Sequence, residues 1–486
     1  MNKPLRRVAI FCGLLMLALL LRDNWLQFVR ADELRTHTAN RRVTIERYAT
    51  PRGDIIVGNK AVTGSVETKG SDFKYKRTYT NGPLYAPVTG YASQAFGANQ
   101  LEAIEDGILT GDDDRLFFNR TIDIFTGKPR QGGNVITTIN EKAQKAAFEG
   151  LKGKKGAVVA LDPRSGAILA LVSVPSYDPS SFAGNSKKDQ EAWVALQKEN
   201  NPDDPMLNRA LRQTYPPGST FKVVTAAAAL ENGLYEDING KTDSPLPYTM
   251  PLTSQPLRND GNLPCKNASM NEALRVSCNT VFAKMGIDLG REKMRKQAEK
   301  FGFNQEIFTP IRAVESVFPD DIDEPQTGLA SIGQGSNRAT PLQMAMVAAA
   351  IANDGVLKKP YLVDALTAPD TSTISQTKDS TFSKPLSEEN AQKLQEMMEN
   401  VVENGTGRNA RIPGVTVGGK TGTAQHGENN KNNPYAWFIS YAKSDNGSPV
   451  AVAVVVESSN TLRDDIAGGA LAAPIAKSVM EAVLGR

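Results

Sequence analysis

Residues 215–233 read YPPGSTFKVVTAAAALENG, a stiff Pro-Pro-Gly approach followed by an apolar run that is typical of a buried helix. The run ends at Gly233, a common helix stop. Ser219 and Lys222 stand three residues apart at its start. Because residues i and i+3 share a face of a helix, the stretch predicts a hydroxyl beside an amine at a helix N-terminus, as a nucleophile and its base would be.

Three other serines also have a lysine three residues further on, but none has this setting. Ser71 lies in a polar segment, and Ser375 lies in a stretch rich in Ser and Thr. Ser440 and Lys443 lie on a predicted strand, where residues three apart point to opposite faces. Only Ser219 therefore opens an apolar helix.

Two further short motifs follow in order along the chain, an S-x-N and a K-T-G. Their residues, with the threonine after the second motif, are Ser277, Cys278, Asn279, Lys420, Thr421, Gly422 and Thr423. The S-x-N lies between two helical patterns. A literal SDN at 444–446 joins two apolar strands and precedes a glycine, which indicates a hairpin turn instead.

Apolar patterns elsewhere predict an α+β fold. Two strand–turn–strand patterns, at 156–173 and 436–457, predict hairpins. Helical patterns lie between and after them, including one at 339–355 that ends at Gly355 and a helix N-capped at Ser387. The chain is expected to form one mainly antiparallel sheet with helices on both faces. The Ser- and Thr-rich stretch 367–384 is predicted to be loose.

The N-terminus predicts a membrane anchor. Lys3, Arg6 and Arg7 precede an apolar run at 8–21, and flanking residues can lengthen that run enough to span a bilayer. The positive cluster predicts a cytoplasmic N-terminus, a single pass, and an extracytoplasmic body. The alternative is a signal peptide that is cleaved after Ala31.

Composition argues against several classes of function. Lys and Arg number 56 and Asp and Glu 53, so the net charge of +3 gives no indication of nucleic-acid binding. The histidines are His37 and His426 alone, which argues against a His-rich metal site, and we expect no metal or other cofactor. Beyond the apolar run, Cys265 and Cys278 either pair in an oxidising compartment or remain two free thiols.

The ordered motifs are a signature of penicillin-binding proteins and class A β-lactamases. Together with the segments at 207–222, 331–355 and 405–425, they make the chain resemble the class B penicillin-binding proteins, of actinobacterial type, over nearly its whole length. That resemblance implies a cytoplasmic tip and membrane anchor at 1–31, followed by a small, mostly-β, non-catalytic pedestal or dimerisation-type module at 32–130. The segment LFFNRTIDIF at 116–125 belongs to this module. Residues 131–486 are expected to form a penicillin-binding transpeptidase domain of serine β-lactamase-like fold. The roughly 100 residues of the module leave no room for a glycosyltransferase domain.

The resemblance also implies a reaction and its catalytic residues. The protein would be a peptidoglycan D,D-transpeptidase of cell-wall synthesis that forms an acyl-enzyme on Ser219 from D-Ala-D-Ala stem peptides and is acylated by β-lactams. Lys222 would be the general base, and Ser277 would relay the proton to the leaving D-alanine. Asn279 would hold Lys222 and a substrate carbonyl.

The same resemblance implies the binding residues. Lys420, Thr421 and Thr423 would bind the terminal carboxylate of the substrate. The backbone N–H groups of Ser219 and Thr423 would form the oxyanion hole, and Gly422 would let the strand approach the substrate closely. The implied partner is a polytopic SEDS-family glycosyltransferase in the cytoplasmic membrane.

Three alternatives remain open: a D,D-carboxypeptidase, a β-lactamase-like hydrolase, and a non-catalytic β-lactam-binding scaffold. Class A β-lactamases use an extra glutamate to activate water. Between the second and third motifs, Glu306 and Glu315 lack that setting, so slow release of penicillin is expected.

Overall fold

The computed structural model describes residues 3–36, 40–69, 71–117, 131–445 and 447–486. His37, Asn446 and most of the segment 116–125 lie outside these residues. The strands, in chain order, are β1 Ile55–Val57, β2 Lys60–Ala61, β3 Thr63–Glu67, β4 Tyr75–Tyr79, β5 Ala92–Ser93, β6 Gly97–Ala98, β7 Asn134–Thr137, β8 Lys155–Leu161, β9 Ile168–Val174, β10 Tyr248–Thr249, β11 Pro256–Leu257, β12 Ile307–Phe308, β13 Arg312–Ala313, β14 Leu357–Lys358, β15 Val363–Thr367, β16 Thr373–Gln376, β17 Thr381–Ser383, β18 Thr416–Ala424, β19 Tyr435–Ser444 and β20 Gly447–Ser458. The α-helices, in chain order, are α1 Lys3–Phe28, α2 Ala31–Thr36, α3 Arg41–Arg47, α4 Gly82–Thr89, α5 Gln100–Ile104, α6 Asp106–Thr110, α7 Glu141–Gly150, α8 Lys187–Leu196, α9 Arg209–Arg212, α10 Lys222–Glu231, α11 Met270–Val276, α12 Asn279–Leu289, α13 Arg291–Lys300, α14 Glu324–Ser331, α15 Pro341–Ala352, α16 Glu388–Asn404, α17 Gly468–Leu471 and α18 Ala473–Val483.

The N-terminal helix α1 extends the apolar run on both sides to 26 residues, and none of its residues is buried. By length and composition it is long enough to cross a membrane. An unpacked apolar helix of this length indicates a membrane anchor.

The central sheet has the strand order β18-β19-β20-β8-β9, and every neighbouring pair is antiparallel. Side chains alternate between its faces. Val158 and Ala160 of β8 join a core with α7 and α18, whereas Ala157 and Val159 join the core that contains α10, α15 and α16. The predicted antiparallel sheet with helices on both faces is confirmed. Strand β18 lies at one edge of this sheet.

A second sheet joins the N-terminal module to the large domain, with the order β16-β15-β7-β1-β2. Strand β1 pairs in parallel with β7, and β7 pairs antiparallel with β15. The prediction that 367–384 is loose is wrong in part, because β16 and β17 lie within it. The Thr and Ile residues of β16 suit an exposed edge strand, but only pairing with the distant β15 defines it.

A buried ion-pair network lies inside the N-terminal module. The carboxylate of Glu102 is fully buried and lies 2.6 Å from Nε of Arg52 and 2.6 Å from Nε of Arg77. Burial alone would raise the pKa of Glu102, but Arg77 and Arg52 outweigh burial and hold that pKa below its usual range. The network therefore depends on a charged Glu102.

Replacing Glu102 with glutamine should destabilise this module by about 3–5 kcal/mol, because two buried guanidinium groups lose the fully buried carboxylate that they share and keep only the more exposed carboxylates of Asp106 and Asp54. Hydrogen exchange of the β1 and β7 amides measures the free energy of local opening. The matched control is Glu141→Gln, which removes an exposed pair with Lys60 (2.9 Å) and should change stability by less than about 1 kcal/mol. Equal effects of the two substitutions would contradict the role given to the network.

Candidate active site

The serine turn lies between the sheet and helix α10. Ser219 belongs to a single 3-10 turn, Gly218–Phe221, that runs directly into α10. Gly218 has a φ of 54°, and a Cβ there would lie 3.0 Å from Cβ of Ala424. The indole Nε1 of Trp437, a fully buried residue, donates to the carbonyl of Pro216 at 3.0 Å. The Pro-Pro-Gly approach is thus fixed against β18 and β19.

The S-x-N turn separates α11 from α12, as predicted. Ser277 follows α11 in the left-handed conformation (φ 67°, ψ 44°), and α12 begins at Asn279. Nζ of Lys222 donates to the carbonyl of Ser277 and to Oδ1 of Asn279, both at 2.7 Å, and lies 3.2 Å from Oγ of Ser277. In the described part of the chain, no hydrogen bond joins Lys222 to Ser219.

Lys420 reaches the same serine from β18. Its Nζ lies 2.9 Å from Oγ of Ser277 and 2.9 Å from the carbonyl oxygen of Thr421. Both lysine side chains are fully buried. One hydroxyl therefore stands between two buried amines.

Two buried amines this close do not both carry a full charge at neutral pH. Burial, followed by the charge of Lys420, lowers the pKa of Lys222 well below its ordinary value, and Asp260 partly opposes this. Burial lowers the pKa of Lys420 to about 7. When Lys420 donates to Oγ of Ser277, the Ser277 proton can point at the lone pair of a neutral Lys222. The arrangement can pass a proton between the three groups.

The K-T-G residues lie on β18, the edge strand of the central sheet. A Cβ on Gly422 would lie 3.1 Å from the carbonyl oxygen of Pro217 and 3.1 Å from Cγ2 of Thr220. The glycine is thus needed for packing against the serine turn, a reason that its sequence setting did not reveal.

Two groups of residues beside the site were missed by the sequence analysis. The hydroxyl of Thr406 lies 2.7 Å from that of Thr421. Arg258 and Asn259 hydrogen-bond to Asn279 at the start of α12. The only local signal was a polar run around Asn259 that indicates a turn. Neither contact has a sequence signature, because the partners are distant along the chain.

Cys265 and Cys278 form a disulfide, with Cα atoms 5.8 Å apart, which selects between the two alternatives left open above. The bond ties the middle residue of the S-x-N turn to the segment that carries Asn259. His426 lies in a loop, where its ring stacks on Tyr435 at 3.9 Å between centroids.

Acylation by penicillin should show a bell-shaped pH dependence. Below the lowered pKa of Lys222 the amine is protonated and cannot take the serine proton, so the second-order rate constant should fall towards acid pH. Above the pKa of Lys420, about 7, the charge that would attract the substrate carboxylate is lost, so the rate should fall again. Stopped-flow or quenched mass measurements across pH 5–10 check this.

The control for this pH profile is a penicillin methyl ester, which carries no carboxylate. The rate constant for acylation by this ester should still decrease towards acid pH but should no longer decrease towards alkaline pH. If the rate constant for the ester decreases as much at alkaline pH as that for penicillin, the charge of Lys420 does not act by attracting the carboxylate.

Comparisons with known proteins agree on one family. The family model described as penicillin binding protein transpeptidase domain matches residues 156–481, and the penicillin binding protein A dimerisation domain matches residues 52–135. The chain is 41% identical over 497 residues to the peptidoglycan D,D-transpeptidase PbpA of Mycolicibacterium smegmatis, with 100% of this chain and 99% of the relative covered. It is 42% identical over 495 residues to PbpA of Mycobacterium tuberculosis H37Rv, with the same shares covered.

Solved structures give the same result. The ceftriaxone acyl-enzyme complex of penicillin-binding protein A from M. tuberculosis matches with a TM-score of 0.85 and 42% identity, over 90% of this chain and 100% of that chain. The penicillin G acyl-enzyme complex of the same protein matches with a TM-score of 0.83 and 42% identity, over the same shares.

Proposed function

The chain belongs to the penicillin-binding protein transpeptidase family, and we propose on that premise that it is a peptidoglycan D,D-transpeptidase whose Ser219 forms the acyl-enzyme. The resemblance to this family that the ordered motifs indicated is confirmed. One observation carries the assignment of residues: Lys222, one turn after Ser219, and Lys420 are both buried and both contact Oγ of Ser277. A purely structural site has no need of two buried amines, since each costs desolvation energy.

In the acylation step, Oγ of Ser219 attacks the carbonyl carbon of the penultimate D-alanine. Its proton passes to the neutral Nζ of Lys222, and a C–O bond forms as the C–N bond to the last D-alanine breaks. The leaving nitrogen takes a proton from Oγ of Ser277, which is replenished from Lys222 or Lys420. A β-lactam reacts in the same way, except that its opened ring keeps the leaving nitrogen attached.

Strand β18 carries most of the residues that would bind the substrate. The charge of Lys420 and the hydroxyls of Thr421 and Thr423 suit a terminal carboxylate. The backbone N–H of Ser219 lies in the first turn of a helix, where N–H groups lack an intrahelical acceptor, and with that of Thr423 it would stabilise the oxyanion. Asn279, whose Oδ1 is used by Lys222, would bind the substrate carbonyl through its Nδ2.

The amine of a second stem peptide then attacks the carbonyl carbon of the acyl-enzyme, and a C–N bond forms as the C–O bond to Ser219 breaks. The proton that the amine loses passes through the Lys222–Ser277 pair to Oγ of Ser219. Among the described residues, no carboxylate hydrogen-bonds to Lys222, Ser277 or Lys420. Glu306 is exposed and pairs with Arg312. A long-lived penicillin adduct is therefore expected, as for a transpeptidase.

The test is intact-mass spectrometry of the full chain in detergent after addition of penicillin G, followed for an hour, with peptide mapping of the adduct. We expect one adduct per chain, on Ser219, that persists. An adduct that vanishes within seconds would favour a β-lactamase-like hydrolase, and a folded chain without any adduct would leave a non-catalytic scaffold.

We also propose a membrane topology and a partner. The basic residues before α1 favour a cytoplasmic N-terminus, a single pass and an extracytoplasmic catalytic domain, and the family favours a polytopic SEDS-family glycosyltransferase as partner. Deletion of residues 1–130 should abolish complementation of a depleted strain. Full rescue by the remaining domain would refute the need for anchor and module.

A further inference from the structure

Helix α12 begins without a cap from its own residues. Its N-cap residue, Cys278, makes no side-chain hydrogen bond to the helix, since its sulfur is bonded to Cys265. The first N–H groups of a helix lack an acceptor within the helix, and leaving them unpaired in a partly buried site is costly. They need an acceptor from another part of the chain.

Asn259 supplies that acceptor from the segment after β11. Its Oδ1 accepts from the backbone N–H of Asn279 at 2.7 Å and from that of Thr280 at 3.1 Å. Its Nδ2 donates to Oγ1 of Thr280 at 3.2 Å. Because both ends of the amide are used, the orientation of Asn259 is determined. Asparagine is a strong N-cap residue, and here it caps a helix that begins 20 residues further along the chain.

The neighbouring Arg258 controls the side chain of Asn279. The carbonyl of Arg258 accepts from Nδ2 of Asn279 at 3.0 Å, so Oδ1 of Asn279 is left to face Nζ of Lys222 at 2.7 Å. The reverse orientation would bring an NH₂ group against the amine and remove an acceptor. Residues 258 and 259 thus hold both the backbone and the side chain of Asn279.

The S-x-N turn depends on this external support. Ser277 has a φ of 67°, which residues other than glycine adopt rarely. Its carbonyl accepts from Lys222, and the next residue is tied by the disulfide to Cys265. A turn of this shape between two helices is therefore held from both sides, by the lysine and by the segment that contains Asn259.

From these contacts we infer that Asn259 is a positioning residue for acyl transfer: it caps α12 and so keeps the S-x-N turn in the geometry in which Ser277 and Asn279 hold Lys222. Asn259 touches no reacting group and acts through Asn279. The inference rests on the proposed function, because it takes Lys222 as the base.

The test compares penicillin G acylation of the full chain in detergent with that of the variant Asn259→Ala. The second-order rate constant should fall about 10- to 100-fold, as expected for a small misplacement of catalytic groups. The final stoichiometry should remain one adduct per chain. A merely structural defect would instead lower the final stoichiometry and leave the rate of the folded fraction unchanged.

A second variant, Asn259→Asp, keeps an acceptor for both N–H groups and should recover most of the rate at alkaline pH. Its added carboxylate should raise the pKa of Lys222, as Asp260 already does, against the opposing charge of Lys420. The acid limb of the pH profile should therefore move to higher pH. An Asp variant as slow as the Ala variant at every pH would overturn the inference.

The matched control is Asn271→Ala. Asn271 lies on α11, where its amide hydrogen-bonds to Asn239 and Asn400 rather than to the site, and it should acylate at the wild-type rate. A wild-type rate in Asn259→Ala would also overturn the inference.

Hydrogen exchange separates this inference from the proposed function. The backbone amides of Asn279 and Thr280 should exchange faster in Asn259→Ala whether or not the protein binds penicillin. If the wild type forms no adduct, the proposed function fails, and unchanged exchange at these two amides would then overturn the capping role as well.

Discussion

Replacing Ser219 with alanine should abolish the penicillin adduct altogether. The hydroxyl oxygen is the atom that forms the ester bond, and removal of a nucleophile costs about 10⁶-fold in comparable serine enzymes. Intact-mass spectrometry after an hour with penicillin G should therefore show only the unmodified chain. The melting temperature should stay close to that of the wild type, because Ser219 makes no side-chain hydrogen bond in the described part of the chain.

The matched control is Ser375→Ala, which removes the serine of another S-x-x-K sequence. Ser375 lies on the edge strand β16, where the spacing has no catalytic setting, so this variant should form the adduct at the wild-type rate. A persistent adduct on the Ser219→Ala chain would assign the nucleophile to another residue.

Replacing Lys222 with methionine should slow acylation by about 10²–10⁴-fold, the range that a general base contributes. Methionine fills a similar volume but cannot accept the proton of Ser219. Stability should change little, because removal of a buried amine whose pKa is lowered by burial is offset by the loss of its hydrogen bonds to Ser277 and Asn279. Acylation rates and thermal melts of the same preparation measure both effects.

Lys443→Met is the matched control for the loss of acylation rate in Lys222→Met. Lys443 belongs to the SYAK sequence on β19 and pairs with Glu399 at 2.5 Å, away from Ser277, so its replacement should leave acylation unchanged. If Lys222→Met reacts as fast as the wild type, the serine proton is taken by some other group, and Lys420 would be the next candidate.

Local patterns predicted much of the fold because their causes are local. The helix that begins at Glu388 is N-capped by Ser387 as expected, with the serine side chain accepting from the N–H of Asn390. The hairpins of the central sheet follow from apolar strands joined by short turns, with β8 paired to β9 and β19 paired to β20. Such signals depend on residues within a few positions of each other.

The pairing of strands that are far apart in the sequence could not be predicted from local patterns. Strand β16 lies in a stretch that reads as loose, since its Ser and Thr residues become a strand only beside β15. The expected bounds of the parts, at 31 and 130, stay predictions, because β1 and β7 share a sheet with β15 of the large domain. Strand pairing across hundreds of residues leaves no mark in a single sequence.

By itself, the sequence determined the ordered serine–lysine, S-x-N and K-T-G motifs, and hence the family and the reaction class. Only the tertiary structure decided that Lys222 and Lys420 meet at one hydroxyl, that Cys265 pairs with Cys278, and that Asn259 caps a helix that begins 20 residues after it. The physical reason is that burial and proximity set the pKa of a lysine and the orientation of an amide. Both depend on how the chain packs and not on which residues are adjacent in the sequence.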